Sequence, residues 1–148
     1  MALPSIATLA LRGVPGAFIL NSGVGKLDID EDTATFLHGE AAKGVPALEE
    51  LDPQLFGKLL AFGEIAVGSA LLLPFIPNRI AGLALGGLSA GLLSVYFRDP
   101  EKTEADGIRP SGAGTALAKD SWMAAIALAL VTAGGKKSKK SRKPKKTT

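Results

Sequence analysis

The chain has 148 residues, 47% of them hydrophobic and 21% charged, with a mean hydropathy of +0.26 and no cysteine. That length fits one domain, and a positive hydropathy beside so many charges means that the charges are clustered, as in a membrane protein. The missing cysteine excludes thiolate catalysis, CxxC redox chemistry, iron–sulfur ligation and disulfides.

The formal net charge of +3 hides an asymmetry. Lys136 to Lys146 carries eight Lys and Arg residues, and the body before it stands at −5. In chain order, residues 4–24 are mostly apolar but contain Arg12. No positive residue precedes this run and no A-x-A site follows it, so it reads as a retained first transmembrane helix rather than a signal peptide. Arg12 shares a helical face with Ser5, Thr8 and Gly16, which should point away from lipid, and Pro15 can bend the helix.

Residues 26–53 form a polar loop with eight acids against Lys26 and Lys43. Within it, Thr33 to Lys43 reads as a short interfacial helix with Phe36 and Leu37 toward lipid, ended by Gly44-Val45-Pro46. The run Asp28-Ile29-Asp30-Glu31-Asp32 invites a calcium reading. An EF-hand loop needs Gly at its sixth position and Glu at its twelfth; here those are Thr33 and Gly39, so a solvated acidic loop is the better reading. His38 is the only histidine, which excludes a histidine-rich metal site and leaves it as a loop residue.

An apolar hairpin follows, with spans at about 55–75 and 79–97 joined at Pro74-Phe75-Ile76-Pro77-Asn78-Arg79. Glu64 lies inside the first of these spans. The second holds two small-xxx-small pairs, Gly82/Gly86 and Gly87/Gly91, which let another helix come close. A second polar loop at 98–112 leads to a fourth span at 113–133, with Lys119, Asp120 and Trp122 toward its start. Each of the four segments is near the ~20 residues that cross a bilayer. The expected fold is therefore an all-α, integral membrane four-helix bundle over residues 1–133.

Residues 134–148 read as a disordered basic tail. Its Lys136, Lys137, Lys139, Lys140, Arg142, Lys143, Lys145 and Lys146 have no interleaved aromatic residue and directly follow a span. That context favours anionic lipid headgroups over nucleic acid. The positive-inside rule then puts both termini and the Arg79 turn in the cytoplasm, and the two polar loops outside.

On this topology Arg12, counted up from Met1, and Glu64, counted down from Leu55, both fall near mid-membrane, at roughly 12 and 14 Å on a rise of ~1.5 Å per residue. They are expected to pair. The pair is either structural, fixing one helix arrangement, or a proton, quinone or substrate site, since ionisable groups inside a membrane often mark function. Lys119 can snorkel to the surface, whereas Asp120 is the better candidate for a polar contact with the first helix. No GxGxxG, P-loop, HExxH or GxSxG motif occurs.

Several landmarks together resemble the DoxX-like family of small prokaryotic membrane proteins. They are Arg12-Gly13 with Gly16, Phe18, Gly23 and Lys26; Gly44-Val45-Pro46; Glu64 with Gly68 and Leu71-Leu72-Leu73; Asn78-Arg79; and Lys119-Asp120. The resemblance covers about residues 8–132 and implies four membrane helices. The family takes its name from a subunit of a thiosulfate:quinone oxidoreductase. The long acidic first loop, the extended 98–112 loop and the basic tail depart from that pattern.

The expected function is a non-catalytic subunit or scaffold of the bacterial cytoplasmic membrane that docks a quinone-linked redox partner. It would have no catalytic residues, metal or cofactor of its own, with quinone held in the partner complex. The alternative is a small-molecule or proton-coupled carrier using Arg12 and Glu64. An independent enzyme fits least.

Overall fold

A computed structural model describes residues 5–133. The basic tail and its proposed lipid-binding residues lie outside them. The described residues are helical: α1 (Ile6–Gly25), α2 (Glu31–Gly44), α3 (Pro53–Leu72), α4 (Asn78–Arg98), α5 (Thr115–Ala118) and α6 (Asp120–Ala133), with a 3-10 turn at Pro46–Glu50. Among them the one non-helical pairing is an isolated bridge between Thr103 and Pro110 in the loop after α4.

Local chemistry sets the helix limits. Ser5, Asp30 and Asp52 each cap a helix by accepting a hydrogen bond from the backbone N–H three residues on, at 3.1, 2.7 and 2.9 Å. This satisfies one of the N–H groups that the first turn leaves without a helical partner. Pro53 opens α3 at a position where its missing N–H costs nothing. Pro74 cannot continue a helix and biases Leu73 toward the extended conformation it adopts, so α3 stops at Leu72. The acidic loop is mostly helix: α2 runs from Glu31 to Gly44, longer at both ends than Thr33 to Lys43, because the Asp30 cap starts it early.

Two antiparallel pairs make the body. α1 packs along α3 and α4 along α6, each far more extensively than the pairs pack on one another. Glycine makes both approaches possible. A Cβ at Gly68 would lie 2.6 Å from the Leu20 backbone N, one at Gly23 2.8 Å from the Ala61 carbonyl O, and one at Gly82 2.9 Å from the Ala127 carbonyl O. The central apolar cluster joins all four helices through Ile19, Leu71, Ala81, Leu85, Ala127 and Leu130. α2 packs across α3 and α4 at the end where α3 begins and α4 finishes.

Three stretches are long and apolar enough to cross a membrane: Pro53–Leu72, Asn78–Arg98 and Thr115–Ala133. Large apolar side chains on their surfaces, including Phe62, Leu83 and Leu128, are more than half exposed. Apolar surface of that extent suits lipid rather than water. α1, interrupted by Arg12, is not among the three.

The glycine contacts predict a contrast within one helix. Gly68→Ala must push α1 off its seat and should destabilise the fold by about 1–3 kcal/mol, the usual cost of overpacking. Gly63→Ala meets nothing within 4 Å and should be neutral or slightly stabilising through helix propensity. Unfolding of both variants in detergent compares them, and equal effects would show that close α1–α3 approach does not limit stability.

Candidate functional site

Arg12 is buried on α1, and its side chain reaches the C-terminal end of α3. The Nε donates to the Leu71 carbonyl at 2.7 Å. One terminal nitrogen donates to the Ile76 carbonyl and Asn78 Oδ1 at 2.8 and 2.7 Å, the other to the Ala70 and Leu73 carbonyls, both at 2.8 Å. All five guanidinium N–H groups are thereby used. The last carbonyls of a helix have no partner within it, and they are the negative end of the helix dipole. A buried cation with five donors answers both needs. An open cavity of about 500 Å³ borders Arg12, but the guanidinium keeps no donor free to hold a ligand there.

Glu64 is also buried, but its partner is Lys26 at the C-terminal end of α1. The Lys26 Nζ donates to Glu64 Oε2 at 2.9 Å and to the Ser22 hydroxyl at 2.6 Å. The expected Arg12–Glu64 pair is therefore corrected: both residues are buried, but each is paired elsewhere. The helix register is the reason. Gly23, not Arg12, stands against Glu64, and Arg12 lies eleven residues earlier, roughly 16 Å along α1. Counting from Met1 and Leu55 placed both at one depth, whereas the glycine contacts slide α1 so that Arg12 meets the end of α3.

Lys119 is exposed and Asp120 half-buried in the first turn of α6. Among the described residues neither forms an ion pair, and Asp120 makes no hydrogen bond to α1, so the contact expected for it is not formed. His38 lies on α2, within the Thr33–Lys43 helix expected inside the polar loop, and is not a free loop side chain. Its Nε2 lies 2.7 Å from the Leu48 carbonyl and its ring packs edge-on against Phe56. It ties the 3-10 turn and α3 to α2. Among the described residues no group of His, Cys, Asp and Glu could hold a metal ion.

A four-charge network fastens α2 to the loop after α4. Lys43 contacts Glu40 at 2.6 Å and Asp99 at 3.0 Å, and Lys102 contacts the same two acids at 2.8 and 3.7 Å. Arg98 adds a hydrogen bond to the Gly44 carbonyl, and the Tyr96 hydroxyl donates to the Ile108 carbonyl at 2.7 Å. Lys102, then Lys43, hold Glu40 below the usual carboxylate range. Burial opposes ionisation of Asp99, but hydrogen bonds from Lys43 and the Glu101 amide outweigh it and hold its carboxyl low. Lys43 is held above the usual lysine range by Glu40 and then Asp99, and Lys102 by Glu40 in spite of burial.

Two pairings were missed in the sequence. Lys26 and Lys43 stood out only as the two bases of the acidic loop, without partners, and Lys102 not at all. Lys26 closes a polar step with Ser22 one helical turn back, and that spacing was the available signal. No protein-family model matches the chain, and no curated protein or solved structure is significantly similar to it.

The pairings replace one double-mutant cycle with another. Lys26→Met and Glu64→Gln should couple by at least ~1 kcal/mol, because each single change strands a partly buried charge. Arg12→Leu combined with Glu64→Gln should be additive. Unfolding of the six proteins in detergent gives both cycles, and coupling in the second but not the first would reverse the assignment.

The network also has a pH signature. A carboxylate with a depressed folded pKa contributes stability that is present above its unfolded pKa and lost as pH falls through the folded one. A lysine with a raised pKa contributes stability that is present below its unfolded value and lost at higher pH. Docking of α2 should thus be flat between roughly pH 5 and 9 and weaken below about pH 4, given ordinary carboxylate and lysine values. Hydrogen exchange of α2 amides measures this, and protection unchanged at pH 3 would mean that the network does not hold the helix.

Proposed function

We propose that the protein is a non-catalytic membrane subunit or scaffold of the DoxX-like type, placed in the bacterial cytoplasmic membrane, that docks a quinone-linked redox partner. It crosses four times, α1 included, with both termini cytoplasmic and α2 and the 99–112 loop outside. The observation that carries the reading is the use of all five Arg12 donors on α3 and the α3–α4 turn. With Glu64 neutralised by Lys26, the two buried charges of the α1–α3 pair serve architecture, and a carrier would need one of them free. Burial of α1's polar face against α3 supports its place as a fourth span. The stretch Thr115–Ala133 buries only 11% of its apolar window inside the protein, against 28% and 33% for the other two spans, which leaves the α6 side the most open to a partner helix.

One observation favours the carrier alternative: the half-buried Asp120 has no ion-pair partner among the described residues, so a transported proton or cation would use it rather than Arg12 and Glu64.

Purification in mild detergent tests the choice. The subunit reading expects a stable partner bringing flavin or haem absorbance. A lone oligomer with a ligand-induced thermal shift that Asp120→Asn abolishes would overturn it. On the same preparation, outside labelling should modify Thr35→Cys and Thr103→Cys but not Ser138→Cys; the reverse would invert the topology.

A further inference from the structure

Beneath α2 lies a cavity of about 420 Å³, walled by Leu37, Phe56, Leu60, Leu88, Leu92 and Leu117. That volume falls in the ~300–1,000 Å³ usual for small-molecule sites. Its floor is α4 at Gly87 and Gly91, where a Cβ would meet nothing within 4 Å, in contrast to Gly82, pressed on α6. Apart from this apolar lining, the charged groups at the cavity are Glu40 and Lys102, which are paired with each other at 2.8 Å.

The geometry points to a binding site for a single apolar chain bearing an uncharged, hydrogen-bonding head. The volume suits a single chain better than a helix, since even two turns of a cylinder ~10 Å across fill roughly 850 Å³. The rim selects the head. Glu40, Lys43, Asp99 and Lys102 are two acids and two bases whose charges are already matched. A charged head of either sign would add an unmatched charge beside Lys102 and Asp99, whose side chains are only 13% and 4% exposed, and that is costly. A hydroxyl can donate to a Glu40 oxygen and accept from the Lys102 ammonium while leaving the network neutral. The chain then lies along Gly87 and Gly91 among the leucines. This site depends on the cavity alone and holds whether or not a partner protein is found.

The test uses the full chain in lipid nanodiscs and a dodecanol probe with a diazirine at the chain end. After irradiation, residue-level mapping should place the label on Leu60, Leu88 and Leu117. Unlabelled dodecanol should displace the probe at least ~tenfold better than dodecanoate or dodecyltrimethylammonium, as the cost of an unmatched buried charge requires. Gly91→Leu, which fills open space, should cut labelling by a similar factor. Label spread evenly over the lipid-facing Leu59, Leu83 and Leu128, or equal displacement by all three amphiphiles, would overturn the site. Where Gly91→Leu does not fold, the competition series on the unaltered chain decides alone.

Discussion

The structure depends first on how α3 ends. Its last carbonyls have no donors within the helix, and a carbonyl buried without a partner is costly. Arg12 answers with one side chain from another helix. Lysine has three donors on a single nitrogen and could not cover the same spread of acceptors. Because the guanidinium also holds Ile76 O and Asn78 Oδ1, it fixes the α3–α4 turn, and with it where α4 begins. The α1–α3 register that the contacts at Gly16, Gly23 and Gly68 set is locked in this way, and α4 then seats on α6 at Gly82.

The opposite end is organised by matched charges. Lys26 and Glu64 close the α1–α3 pair, and the Glu40–Lys43–Asp99–Lys102 network closes α2 over the α3–α4 end. Buried or half-buried pairs of this kind add little net stability, because desolvation offsets the attraction. Their physical effect is specificity: a slip of one residue along α1 would strand Glu64, and a shifted α2 would strand Asp99, which is 4% exposed. Apolar contact holds the middle of the bundle, and the charges at its ends choose one arrangement.

How far the sequence could be read follows from the same physics. The opening Pro53 and the stop at Pro74 are local signals, so the helices of the hairpin were legible, and so was the existence of α2, though not its ends, which lie beyond Thr33 and Lys43 because Asp30 caps it. The burial of Arg12 and Glu64 was legible too, since apolar runs tolerate charge only on an inward face. Their partners were not. Arg12 is met chiefly by backbone carbonyls, which every residue carries and no sequence pattern advertises. Glu64 is met by Lys26, which stands past the apolar run and looked like loop. Depth counted from segment ends gave the wrong pairing because the register is set elsewhere, by Gly16, Gly23 and Gly68 packing on α3 and α1. His38 fell inside the expected helix, but its contacts with Leu48 and Phe56 are tertiary and left no local signal.

The two glycine pairs of α4 show what such a motif does and does not specify. Gly82/Gly86 and Gly87/Gly91 have the same spacing, and both were expected to admit a helix. They are five residues out of phase, however, which turns the second pair about 140° around the helix axis from the first. The first faces α6, and at Gly82 the backbones nearly touch. The second faces the space beneath α2, where the lining leucines stand back and no backbone approaches. Missing side chains permit close approach, but the phase of the helix decides what is approached. On one side of α4 the permission is used for packing; on the other it is left as volume beside a neutral polar rim.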